Sequence, residues 1–343
     1  MKAIIPLLLA LVCLVDTLGQ LVLARHESSL REWAQYKRQY GKVYGTPEED
    51  ARRFSLFMAS REEIKQHNAN EQSSYKLGLN HMADWTREER YTLGGVIYDP
   101  IEHEKGLEAS KDHSFLQAIL DGPAPLPAEL DWRLVPDRVS AVRDQGKCSA
   151  GWAIAVTGVL EGQEVVRNFT EQLVTLSPQY LIDCSFENFH GCTSGWVSPA
   201  LKEVANLGVK SEADFPWTGV YSNVCDFTHG DMVINDSGSI YLPKNNEKVL
   251  RTTVAKFGPV PVGIYASPKL HQYKSGIFNE PDCNGQLDHF VLIVGYGNDP
   301  KEGDYWIVKN SWSDDWGEKG YMRIKFGVCG LGQVANIPTF DRH

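Results

Sequence analysis

Six of the seven cysteines, Cys148, Cys184, Cys192, Cys225, Cys283 and Cys329, lie beyond residue 147. An even set in an oxidising compartment predicts three disulfides, although spacing alone allows fifteen pairings. The chain therefore divides into a first part that must fold without cross-links and a second part braced by them. Cys13 stands apart, inside an apolar run from Ala3 to Val15 that follows Lys2 and precedes the small residues Thr17 and Gly19. That run is too short to span a bilayer and reads as a cleaved signal peptide over residues 1–19. A secreted, extracellular or lysosomal protein is expected. The sequons Asn168-Phe-Thr170 and Asn235-Asp-Ser237 are candidate glycosylation sites.

The formal net charge of −10 argues against nucleic acid or an anionic membrane as partner. No metal-ligand spacing, phosphate loop or cofactor signature is present, and a monomer without metal or cofactor is expected.

Helical signals dominate the first part. Ser29-Leu-Arg-Glu32 has capping-box form, with Leu30, Trp33, Tyr36 and Tyr40 following at helical spacing. Thr46-Pro47-Glu48-Glu49 opens a second helix that should run to about Asn68, with Phe54, Phe57, Met58 and Ile64 on one face. Tyr75–Asp84 reads as extended. Residues 91–125 read as a linker or processing site, since Asp121-Gly-Pro-Ala-Pro-Leu-Pro127 cannot continue a helix or sheet. A second body is expected over 126–343. It should hold an apolar helix from about Ser149 to Val166 and strands over Val291–Gly297, Tyr305–Lys309 and Tyr321–Ile324. The order predicts an α+β body in two lobes.

Three segments stand out for chemistry: Asp144-Gln145-Gly146-Lys147-Cys148-Ser149-Ala150-Gly151-Trp152 at the start of the apolar helix, Asp288-His289 before a strand, and Lys309-Asn310-Ser311-Trp312 after one. Singly each is weak. Their order resembles the papain-like cysteine proteases of the cathepsin L type, whose local signature is Cys-Gly-Ser-Cys-Trp with His and Asn downstream. The resemblance runs through the chain. Its pro-region helix pattern is matched by Glu49, Arg53, Phe57, Ile64 and Asn68, with Ser60 for asparagine. Gly78, Asn80 and Asp84 follow, with Met82 for phenylalanine. Leu126-Pro127, Asp131-Trp132-Arg133, Gly295-Tyr296-Gly297 and Trp316-Gly317 also match.

The resemblance implies a papain-like two-lobed fold, one lobe helical and one β-barrel-like, with a cleft between. A helical inhibitory-type pro-region with linker, residues 20–125, precedes the peptidase domain, residues 126–343. It implies the pairs Cys148–Cys192, Cys184–Cys225 and Cys283–Cys329. By position, His289 is the acid/base, Asn310 its orienter, Gln145 the oxyanion donor and Trp312 a shield for the His–Asn pair. Ser194-Gly195 stand for a glycine pair lining the substrate groove.

The pattern breaks at the nucleophile. Gly151 occupies the cysteine position, and glycine has nothing to attack with. Losing a covalent nucleophile costs about a millionfold in a comparable triad. Ser149 and Ala150 depart as well, which reads as relaxed constraint. Phe290 replaces a small residue and should narrow the main specificity pocket. The expected function is a non-catalytic homologue that binds a peptide or protein in the cleft. Alternatives are an active cysteine endopeptidase using another thiol, and a pro-domain that inhibits a related active protease.

Overall fold

The computed structural model describes residues 4–96, 98–121, 125–185, 191–225, 232–233 and 236–340, and of residues 4–18 and 22 it describes the backbone only. Asn235 lies outside the described residues. Two helices open the chain, α1 (Ile4–Gln39) and α2 (Pro47–Asn68). The Ser29 box does not form a helix start. Helix α1 is already running there, and the Ser29 hydroxyl instead donates to the Arg25 carbonyl one turn back. The cap at α2 does form: Thr46 accepts from the Glu49 N–H, with Pro47 in the first turn.

Trp33, Tyr36, Phe57 and Ala83 make a small core of their own, while Leu30 is exposed. Asp84 gathers the Tyr36 and Tyr44 hydroxyls and the Lys42 ammonium. Arg53 bridges Glu49 and Glu89. Ser60, where asparagine was expected, donates to the Ala83 carbonyl and accepts from Arg90.

Only Tyr75–Leu77 of the expected extended segment is strand (β1). Asn80–Asp84 turns back on itself, because the Asn80 side chain takes the Met82 N–H and its backbone carbonyl takes that of Ala83. Asn68 pins β1 from both sides, donating to the Leu77 carbonyl and accepting from its N–H. Helix α3 (Arg87–Tyr91) follows with a complete capping box of Thr86 and Glu89.

The largest departure from expectation is residues 91–125. They hold two helices, α4 (Pro100–Ser110) and α5 (Ser114–Leu120). Asp99 caps α4 with Pro100 in its first turn, so proline here starts a helix where the sequence reading had it forbid one. His103, Ser110, Leu116 and Ile119 are buried against the following body. Ser110 accepts the Tyr241 N–H, and Phe115 packs on Phe257 at 4.7 Å.

The body runs β2 (Leu130–Asp131), α6 (Gly151–Val166), α7 (Pro178–Cys184), α8 (Val197–Leu207), β3 (Gly238–Tyr241), α9 (Glu247–Phe257), β4 (Val260–Ile264), α10 (Pro268–His271), β5 (Tyr273–Phe278), β6 (His289–Asp299), β7 (Gly303–Lys309), β8 (Tyr321–Lys325) and β9 (Asn336–Thr339). Strands β1, β5, β8, β7, β6 and β2 form one sheet in that order, with β4 also on β6; β3 pairs with β9. Helix α6 begins two residues later than expected. It is buried along almost its whole length in a second core with α7 and α8, the helical lobe. The sheet surrounds the other core. The three disulfides join Cys148–Cys192, Cys184–Cys225 and Cys283–Cys329, as the resemblance implied. Among the described residues no helix is long and apolar enough to cross a membrane.

Asp236 is buried just before β3, and burial pushes its carboxyl up to about 8, against the Gly238 N–H that favours the anion. The folded chain then holds a proton that the unfolded carboxyl releases near pH 4. This contribution to stability is full below that pH and declines as pH rises toward 8. Asp236→Asn should therefore raise the melting temperature by an amount that grows between pH 5 and 8, to on the order of 5 °C. A pH-independent difference in calorimetry would count against it.

Candidate functional site

Helix α6 starts at Gly151 on one side of the cleft; strand β6 starts at His289 on the other; Asn310 and Ser311 follow β7. The fold thus brings the sequence-predicted positions Gly151, His289 and Asn310 together. His289 Nε2 lies 2.9 Å from Asn310 Oδ1. That oxygen also accepts the Ser311 N–H, at 2.8 Å, which sets the amide's orientation and makes His289 Nε2 the protonated nitrogen. Nδ1 is then a lone pair facing Gly151, buried and without a partner. Burial, opposed by the Asn310 hydrogen bond, lowers the imidazole to about 4. It is therefore neutral near pH 7.

No side chain fits at residue 151 as the structure stands. A Cβ on Gly151 would stand 2.5 Å from His289 Cε1 and 2.6 Å from Nδ1. The ring lies in the space a side chain would need, and only glycine tolerates so close an approach. Trp312 stacks on its far face, 4.9 Å away at 21°, and His271 stacks on the other side of Trp312 at 5.0 Å. His271 is lowered to about 3, first by burial and then by Arg90 and His289.

Gln145 is fully buried. Its Nε2 donates to the Cys148 carbonyl at 2.9 Å and to the Leu93 carbonyl at 3.1 Å, and its Oε1 accepts from the Ser311 hydroxyl at 2.6 Å. The Gln145 amide is thus occupied in part by a carbonyl of the first part of the chain. Ser149 does not approach His289; its hydroxyl donates to the Thr92 carbonyl at 2.5 Å. Gly195 N–H donates to the Gly95 carbonyl at 3.0 Å, and Val96 N–H to the Asp288 carbonyl at 3.2 Å. Residues 92–96 therefore cross the cleft over Gly151. Ser194 is buried beside Gly195, whose α-carbon lies against the Trp152 ring.

Phe290 is buried, edge to face with Trp196 at 5.2 Å and beside Gly263. Behind Gly151, a cavity of roughly 10 Å³, room for about one water, is bounded by Phe290, Lys309 and Asn310. Lys309 donates to the Ser140 hydroxyl, which donates to Glu161. Burial lowers Lys309 to about 8 against the pull of Glu161, and raises Glu161.

Sequence reasoning missed His271, the 92–96 segment and the buried link from Lys309 through Ser140 to Glu161. Residues 92–96 carried a signal, the Gly-Gly pair, and Lys309 one in the apolar run Trp306-Ile307-Val308 before it; His271 carried none. Asn168, the other sequon position, is exposed with a left-handed φ of 60°. No group of three or more metal-binding side chains occurs among the described residues.

Residues 126–339 match the model of the papain family cysteine proteases, and residues 33–90 that of the cathepsin propeptide inhibitor domain. Cathepsin L of Sarcophaga peregrina is 36% identical, covering 99% of this chain and 100% of its own length. Procathepsin L of Mus musculus is 35% identical, covering 98% and 99%. The structure of a digestive procathepsin L 3 from Tenebrio molitor larval midgut superimposes with a TM-score of 0.80 at 34% identity, covering 91% of this chain and 99% of that one.

Proposed function

Because the chain belongs to the papain family of cysteine proteases, with a cathepsin propeptide inhibitor domain ahead of the peptidase domain, we propose that it is a non-catalytic member, a pseudoprotease that binds peptide in the cleft. The observation that carries this is the His289 ring lying where a Cβ on residue 151 would stand. Covalent catalysis needs a nucleophile within hydrogen-bond reach of its base. Ser149 is turned away, and the six cysteines of the body are all in disulfides. With the imidazole neutral and no thiolate, no ion pair forms. What remains is a groove with hydrogen-bond donors at Gln145, Ser149 and Gly195. In this reading residues 1–19 are a leader removed on export, 20–125 the pro-region and 126–343 the peptidase domain, and the protein works in a secretory or lysosomal compartment.

A thiol-directed epoxide probe for papain-type enzymes should leave the folded, leaderless protein unlabelled in intact mass spectrometry. One equivalent of label would overturn the proposal by revealing a reactive thiol.

A further inference from the structure

We propose that the cleft is a site for an extended peptide carrying an apolar residue followed by Gly-Gly, and that residues 93–95 of this chain are its first occupant. The inference rests on the peptide-binding reading above and names the ligand's chemistry.

Leu93 is almost fully buried, and its carbonyl meets Gln145 Nε2. The two residues after it pass between walls that leave no room for side chains. A Cβ on Gly94 would lie 2.8 Å from the Asp288 carbonyl oxygen. A Cβ on Gly95 would lie 2.3 Å from the Ser149 Cβ and 2.7 Å from the Ser149 carbonyl oxygen. None of these three contacts can be relieved by rotating a side chain: both carbonyls belong to the backbone, and a Cβ is fixed to it. Gly95 also has φ +92°, which an L side chain disfavours. Ser149 stands where the family signature has glycine, so part of the constriction is this chain's own departure from the pattern.

The hydrogen bonds read only main chain. Ser149 Oγ, Gln145 Nε2 and Gly195 N–H donate to the carbonyls of residues 92, 93 and 95, and the Asp288 carbonyl accepts from Val96 N–H. Main-chain bonds hold any extended peptide; the walls decide which one. The selection is by exclusion: any side chain larger than hydrogen at either of two consecutive positions is refused.

The test uses the full chain and a fluorescein-labelled octapeptide copying residues 91–98, beside an analogue with alanine at both glycine positions. The wild type, its groove filled in cis, should bind neither. Gly95→Ala should displace the internal segment and open the groove. This variant should bind the octapeptide at least tenfold more tightly than the alanine analogue in fluorescence anisotropy. Should Gly95→Ala not give a cooperative melt, Leu93→Asp frees the groove by removing the apolar anchor, and the same comparison is made. Equal binding of both peptides would overturn the diglycine requirement and leave the peptide-binding reading standing. Binding of neither peptide, with residues 92–96 shown to be released by their hydrogen exchange, would overturn both the inference and peptide binding in the cleft. The covalent-probe result decides the absence of catalysis separately. Tight binding by the wild type would place the peptide elsewhere and overturn the inference as well.

Discussion

Incubated with a fluorogenic dipeptide amide at acidic pH, the wild-type chain should give no turnover, and Gly151→Cys should give only slow turnover. In the proposed reading residue 151 is the nucleophile position and glycine leaves it without one, and Ser149, the nearby hydroxyl, is turned to the Thr92 carbonyl. The variant supplies a thiol, but its Cβ must enter a space where His289 Cε1 and Nδ1 stand at 2.5 and 2.6 Å. The ring has to retreat by about an ångström against Trp312 while keeping Asn310, and a misplacement of that size costs on the order of 10²-fold in rate. Turnover by the variant should therefore fall about two orders of magnitude below that of an active cathepsin L assayed alongside. Adding Phe290→Ala should raise kcat/KM for substrates with a bulky apolar side chain, because the ring that packs on Trp196 no longer fills that space. Wild-type turnover abolished by a thiol-alkylating agent would sink the pseudoprotease reading.

Leu116→Asp should lower the melting temperature of the full chain by about 10 °C or more, while Leu120→Asp, one turn on, should move it little. Leu116 is 3% exposed, in one cluster with Leu242, Val249, Leu250 and Val254; Leu120 is 42% exposed. Removing the leucine forfeits about 2–3 kcal/mol of burial. Placing a carboxyl there without a partner adds a penalty of similar or larger size. An exposed substitution stays within about 0.5 kcal/mol. Equal, small shifts for both variants would show that α5 is a passenger and that residues 91–125 behave as the linker their proline content suggests.

Those two helices mark where the sequence misleads. Ser-Phe-Leu-Gln-Ala-Ile-Leu over α5 has an apolar face, and Asp99-Pro100 is a helix start. Both were overshadowed by the proline run at 123–127, which stops a helix only locally. The Ser29 box failed for the opposite reason: a local cap signal has no effect inside a helix that has already begun. Strand positions β6, β7 and β8 were legible because long apolar runs with β-branched residues admit few other readings. The site residues were legible through ordered motifs, and Gly151 through its place among them. What no one-dimensional pattern carries is the third dimension of the cleft: that His289 leans onto Gly151, that Trp312 stacks with two imidazoles, and that Gly94 is squeezed by the backbone of Asp288 and Gly95 by that of Ser149.

Strand β1 has a consequence of its own. It occupies the end of the large sheet, pairing Tyr75, Lys76 and Leu77 with Gly276, Ser275 and Tyr273. With the first part of the chain in place, β5 is an interior strand. Were that part cut away and lost, β5 would become an outer strand with a row of unpaired amides, flanked by the apolar rings of Tyr273 and Phe278. Such a rim is a template on which another copy can build. While β1 stays paired, that template is covered, and the cover does not depend on any chemistry in the cleft.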